Sequence, residues 1–189
     1  MTLAAGCTYE LQDPEARAAC GTLHYTINPH EAGDAQVAAV QEAVEHYGDT
    51  VGRDVVFDGL TDTPATTAPG DTVAIEFVWP DDAPTGMGYA EPTVVDGVFT
   101  GGWIYLNPAL GRSPEGVVYR TTLHELGHIG GLDHVSDPGE LMNPALPVDD
   151  YGPGDRVGLA HTHWSCGHDG PSPIPRLTAL VAQGSGGEA

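Results

Sequence analysis

The chain contains no lysine. Its 6 basic residues are all arginines, they face 27 acidic residues over 189 positions, and the formal net charge is −21. A surface of that sign repels phosphate backbones, which argues against nucleic acid as a partner. Nor does the sequence hold any run approaching 18 apolar residues, so no transmembrane helix is expected. Cysteine is sparse, at 7, 20 and 166, and an odd count leaves at least one outside any pair within the chain. Two arrangements stay open. Cys7 with Cys20 would close a short N-terminal loop. Alternatively "LAAGC" at 3–7 looks like the tail of a bacterial lipoprotein signal, with Cys7 lipidated and Cys20 left to pair with Cys166. Only six residues precede Cys7, with neither a basic n-region nor a full apolar h-region. Both arrangements imply export, either secreted or held at the cell surface.

What is present suits one α+β domain. The length can bury a sizeable core, and no internal repeat is visible. "TLHYTINP" at 22–29 alternates around Leu23, Tyr25 and Ile27, which predicts a strand. Val37, Val40, Val44 and Tyr47 recur at helical spacing, giving a first packing helix that begins at an Asp34 N-cap and stops at Gly48. Further strands are expected at 54–60, 72–80, around 87–91 and at 102–108. A longer helix should run from about Pro114 to Gly130, because proline suits the first helical position. A proline-rich charged turn follows from Ser136 to Asp150, and a C-terminal helix starts near Asp155. The order β-α-β-β-β-β-α-loop-α gives helices around one twisted mixed sheet of about five strands. Residues 1–170 form the expected domain, and 171–189 have the composition of a flexible tail.

The chemistry lies in "HELGHIGGLDH" at 124–134. A helix turns about 100° per residue, so His124 and His128 share one face, one turn apart. Two imidazoles so placed can reach one ion. Glu125 lies beside that face, poorly placed as a ligand and well placed as a general base. The glycines at 130 and 131 can end the helix and turn the chain sharply, returning His134 to the same ion. Three neutral imidazoles leave a fourth position open, as a catalytic zinc requires and a closed structural site lacks. Zinc would acidify a bound water toward about pKa 7, within reach of Glu125. Solvent-facing histidines are the ordinary alternative for one residue. Five specified identities at this spacing coincide by chance in roughly one chain of this length in ten thousand, which sets that alternative aside.

With these residues in view, the sequence resembles the metzincin zinc proteases, which carry this extended motif followed by a Met-turn. "GLDHVSDPGELMNP" is similar to the matrixin subgroup, with Met142 eight residues after His134. The resemblance is specific over about 120–160 and loose over 20–110. It implies a metzincin-like catalytic domain in which His124, His128 and His134 bind one catalytic Zn2+ and Glu125 is the base. Met142 would form the floor beneath the metal without ligating it. Asp155 would anchor the last helix internally, and Asp133 occupies a position where matrixins carry aspartate; a solvated carboxylate is the ordinary alternative for each. "MGYAEP" at 87–92 would be the edge strand receiving an extended peptide. "ELMNPALPVDDYG" would shape the adjoining pocket. Two departures stand out: Asn143 replaces the tyrosine that follows the methionine in matrixins, and Pro144 stands where other metzincins place a zinc-proximal tyrosine. No calcium-loop motif is found.

A second cluster, "HTHWSCGH", gathers His161, His163, Cys166 and His168. A structural or disulfide role is expected there, in preference to a second zinc or an inhibitory thiolate on the first. The expected function is that of a zinc endopeptidase, acting as a monomer on protein or peptide substrates. A zinc-dependent amidase on cell-wall peptides and a non-catalytic zinc-containing binding module are the alternatives.

Overall fold

The structure is a computed structural model that describes residues 8–15, 17–30, 32–79, 86–112 and 116–166. Cys7, His168 and the expected tail at 171–189 lie outside these residues. The elements in order are β1 (Glu10–Leu11), β2 (Arg17–Ala18), β3 (Leu23–Asn28), α1 (Asp34–Val51), β4 (Val55–Leu60), β5 (Thr72–Phe77), β6 (Gly88–Val95), β7 (Val98–Leu106), α2 (Val117–Ile129), β8 (Leu132–Asp133) and α3 (Pro153–Thr162). The domain is α+β.

The main sheet runs β6-β7-β5-β3-β4, with β2 beside the start of β7. Pairs β7–β5, β5–β3 and β3–β4 are parallel, while β6 lies antiparallel to β7. Parallel neighbours need a crossover, and α1 supplies it between β3 and β4. The inward residues Tyr25, Ile27, Val73, Ile75, Phe77, Ile104 and Leu106 meet Val40, Val44 and Tyr47 of α1 and Leu123 and Leu126 of α2. Each fully buried side chain of this kind contributes about 1.5–3 kcal/mol by leaving water. That packing fixes α2 against the sheet, and α2 carries the first two histidines of the motif.

Several boundaries differ from the sequence reading, β7 among them, which starts at Val98 where a strand at 102–108 was expected. α1 continues one turn past Gly48 and ends at Gly52 (φ 70°), whose N–H bonds back to the Gly48 carbonyl. Gly48 is a packing residue, since a Cβ there would lie 2.6 Å from Val55 Cγ1 and 2.8 Å from the Arg53 carbonyl oxygen. Gly33, not Asp34, occupies the N-cap, and its N–H donates to Gln36 Oε1 at 3.1 Å. Asp34 sits in the first turn, where its charge complements the helix dipole. β6 extends to Val95 and forms a hairpin with β7 through Asp96 and Gly97, both with positive φ, as a type I′ turn demands. The α2 start expected at Pro114 lies outside the described residues; the described helix begins at Val117 after Gly116.

Cys20 is bonded to Cys166, with Cα atoms 5.0 Å apart and 146 positions between them. The Cys7–Cys20 pairing is therefore excluded. The bridge ties the segment after β2 to the end of α3, and a loop of that length confers about 5 kcal/mol in the chain-entropy account. None of the helices among the described residues is long and apolar enough to cross a membrane.

Candidate metal centre

His124 and His128 project from one face of α2, as their spacing requires. His134 arrives from the far side of a turn through Gly130 and Gly131. Only Gly131 takes positive φ (94°); Gly130 stays right-handed. The Nε2 atom of His134 lies 3.1 Å from that of His124 and 3.2 Å from that of His128. Three ring nitrogens this close can meet a single cation. Among the described residues, these three form the one group able to hold a metal ion.

The remaining ring nitrogens support that reading. His124 Nδ1–H donates to the Leu141 carbonyl at 2.8 Å, and His128 Nδ1–H donates to the Leu132 carbonyl at 2.9 Å. A carbonyl can only accept, so the proton sits on Nδ1 and Nε2 keeps its lone pair. Burial pushes the His124 imidazolium down to about 3, with the neighbouring His128 adding to the effect. Burial also lowers His128. Both rings are thus neutral at ordinary pH, the state a metal requires. Asp133 Oδ1 accepts the His134 backbone N–H at 2.7 Å and steadies the third histidine.

Glu125 is buried beside this triad, and burial pushes its carboxyl up to about 8. The first residue of β6 comes unusually near it. A Cβ on Gly88 would lie 2.6 Å from Glu125 Oε1, 2.9 Å from its Cγ and 2.9 Å from Thr121 Cγ2. Glycine is what allows the edge strand to pass over the carboxylate. Gly88→Ala is expected to bind zinc within about twofold of wild type. It should still lower kcat/KM for peptide cleavage by about 10- to 100-fold, because the carboxylate must move. Steady-state kinetics with metal analysis of the same samples tests this.

Beneath the helix, Met142 is fully buried, and its sulfur packs against Gly127, where any side chain would collide with it. Two carboxylates hold the Met-turn by mutual capping. Glu140 accepts the N–H groups of Gly154 and Asp155, both at 2.9 Å, at the start of α3. Asp155 Oδ2 accepts from Leu141 at 2.6 Å, Gly152 at 3.1 Å and Met142 at 3.4 Å. Leu141 is the residue whose carbonyl orients His124, so this clasp supports that histidine at one remove. Asp155 thus anchors α3 internally, as expected. Glu140, Gly127 and Gly88 were not singled out from the sequence; the glycine inside "HELGH" was the one visible sign.

The site opens into a cleft of about 700 Å³. Its walls include Gly88–Glu91 of β6 on one side and Pro144 and Leu146 after the Met-turn on the other. Among the described residues, no strand pairs with the outer edge of β6.

Of the second histidine cluster, His161, His163 and Cys166 lie among the described residues. Cys166 is spent in the disulfide. His163 is buried, donates Nδ1–H to the Leu159 carbonyl at 2.9 Å and has Nε2 3.4 Å from the Tyr47 hydroxyl. His161 Nδ1 lies 3.4 Å from the Tyr9 hydroxyl. Among the described residues, His161, His163 and Cys166 form no group able to hold a metal ion.

No family model matches the chain, and no curated protein matches it in sequence. Among solved structures it is similar to a zinc-dependent peptidase from Methanocorpusculum labreanum (strain Z). The identity is 13%, the match covers 72% of this chain and 99% of that one, and the TM-score is 0.46. A likeness at that level assigns no activity.

Proposed function

We propose that the chain is a zinc endopeptidase of the metzincin clan, matrixin-like, that cleaves protein or peptide substrates. The observation that carries this is the clustering of three Nε2 atoms beside a buried glutamate at the floor of an open cleft. The donor set fits zinc, with three imidazoles, of which His124 and His128 have their outer nitrogens held by carbonyls. When bound, zinc supplies Lewis-acid polarisation of the scissile carbonyl and acidifies water.

The chain's own groups do the rest. The unpaired edge of β6 receives an extended peptide by main-chain hydrogen bonding and lays it across the cleft. Pro92 ends the run of donors on that edge, a position where proline is tolerated. Pro144 and Leu146 give the adjoining wall an apolar surface for one substrate side chain. Glu125 takes the proton of the attacking water and delivers it to the leaving amine nitrogen. A dication nearby favours the ionised carboxylate and opposes the effect of burial. The Cys20–Cys166 bridge supports an oxidising compartment, and with it a secreted or cell-surface location.

The test is cleavage of casein and of a quenched peptide library by zinc-loaded protein, with and without a chelator. Cleavage should stop with the chelator and return with zinc. A parallel arm with peptidoglycan stem peptides covers the amidase alternative: turnover confined to that arm would overturn the endopeptidase assignment. Zinc binding with no turnover in either arm would leave a binding module.

A further inference from the structure

We infer that Gln12 is a positioning residue for the metal ligands, acting from the N-terminal strand on the turn that links the second histidine to the third. It lies 116 positions upstream of His128. Strand β1 pairs antiparallel with β8, matching Glu10 with Asp133 and Leu11 with Leu132. Gln12 extends this ladder, its backbone N–H donating to the Gly131 carbonyl at 3.0 Å.

Its side chain then brackets the turn. The amide Nε2 donates to the His128 carbonyl at 3.1 Å and to the Leu132 carbonyl at 2.9 Å. An NH2 group carries two hydrogens, so both bonds form at once. The first closes the C-terminal end of α2 at the ligand itself. The second holds the carbonyl that also accepts His128 Nδ1–H at 2.9 Å. One amide therefore fixes the main chain at both ends of the segment 128–132 and sets the acceptor that orients the His128 ring. That segment also delivers His134 to its place. Without the amide, the Leu132 carbonyl can tilt, and the imidazole plane tilts with it.

The strand is anchored well enough to act as a clasp. Thr8 Oγ1 donates to Asp137 Oδ2 at 3.3 Å, and Tyr9 packs close to Gly158 of α3. Losing an outer partner of a metal-bound histidine costs about 10- to 100-fold in metal affinity.

The inference rests on metal binding by the three histidines, and one titration separates the two. Gln12→Met keeps the length of the side chain and removes both donors. Zinc dissociation constants are measured by chelator competition on metal-free wild type and variant. The exchange rate of His128 Nδ1–H is followed by NMR on 15N-histidine-labelled, zinc-loaded protein. The expected result is a dissociation constant raised about tenfold or more, with faster exchange of the His128 proton. A purely structural role for Gln12 would leave that proton's exchange unchanged. Gln12→Asn, whose amide falls one methylene short, should weaken zinc in the same direction and serves if the methionine variant does not fold. An unchanged constant in whichever variant folds overturns the inference. Failure of wild type to bind zinc removes the proposed function and this inference together.

Discussion

Glu125→Gln is expected to bind zinc like the wild type and to lose about 10³- to 10⁴-fold in kcat for peptide hydrolysis. Glutamine preserves the shape of the side chain and can hydrogen-bond to water, but it cannot accept a proton. General-base assistance supplies about 10²- to 10⁴-fold in rate. The upper range applies here because the same group must also return the proton to a poor leaving amine. A 10⁴-fold loss corresponds to about 5.5 kcal/mol of barrier. None of that should appear in metal affinity, since the three Nε2 donors are untouched. Single-turnover kinetics with metal-loaded protein is the measurement. Wild-type turnover by the glutamine variant would remove Glu125 from the chemistry.

The second large effect is on stability. Asp155 is fully buried and accepts the N–H groups of Leu141, Met142 and Gly152 on one oxygen. Asp155→Ala strands these donors, and each buried unpaired group costs about 1–3 kcal/mol. Because the three share one acceptor, their costs do not simply add, and a total loss of about 3–5 kcal/mol is expected. The same substitution frees the Leu141 carbonyl to move, so zinc affinity should fall with stability. Asp155→Asn separates charge from shape. Burial raises the Asp155 carboxyl to about 6 from an ordinary value of 3.8, against the opposing pull of the backbone donors. A folded value above the unfolded one means that folding favours the protonated form. The contribution of this group is then fully present below about pH 3.8 and is lost as pH rises through about 6. The stability of wild type relative to the asparagine variant should therefore decline by about 2 kcal/mol between pH 4 and pH 7. Urea denaturation of both proteins across that range measures it. A constant difference would show that the carboxyl titrates alike in the folded and unfolded chains.

The clustering of the three histidines was legible in the sequence for a geometric reason. A helical turn and a glycine turn bring His124, His128 and His134 together within eleven residues, so spacing alone determines which side chains meet. The core strands were legible because alternation at Leu23, Tyr25 and Ile27 reports burial on one face. The supporting contacts follow no such local rule. Gln12 reaches the site from 116 positions away, Gly88 is a glycine because of a carboxylate on another element, and Gly48 because of Val55. Close approach between distant segments leaves no periodic trace. The Cys20–Cys166 pairing is of the same kind, since three cysteines alone cannot say which two meet. The β6–β7 hairpin is a different case. Its Asp96-Gly97 signal lies between two apolar pairs, and both flanking strands run closer to the turn than the expected 87–91 and 102–108.

The Cys20–Cys166 bridge closes most of the domain into a covalent ring. A single backbone cut at any point between these residues releases no fragment. The two new ends stay tethered within the folded domain, where the effective concentration of one piece for the other is set by the ring and not by dilution. The motif at 124–134, the Met-turn and the cleft strand β6 all lie inside that ring, and Gln12 lies outside it. Nicking within the ring therefore leaves the metal ligands joined in one molecule, whereas a cut between Gln12 and Cys20 severs the clasp from them.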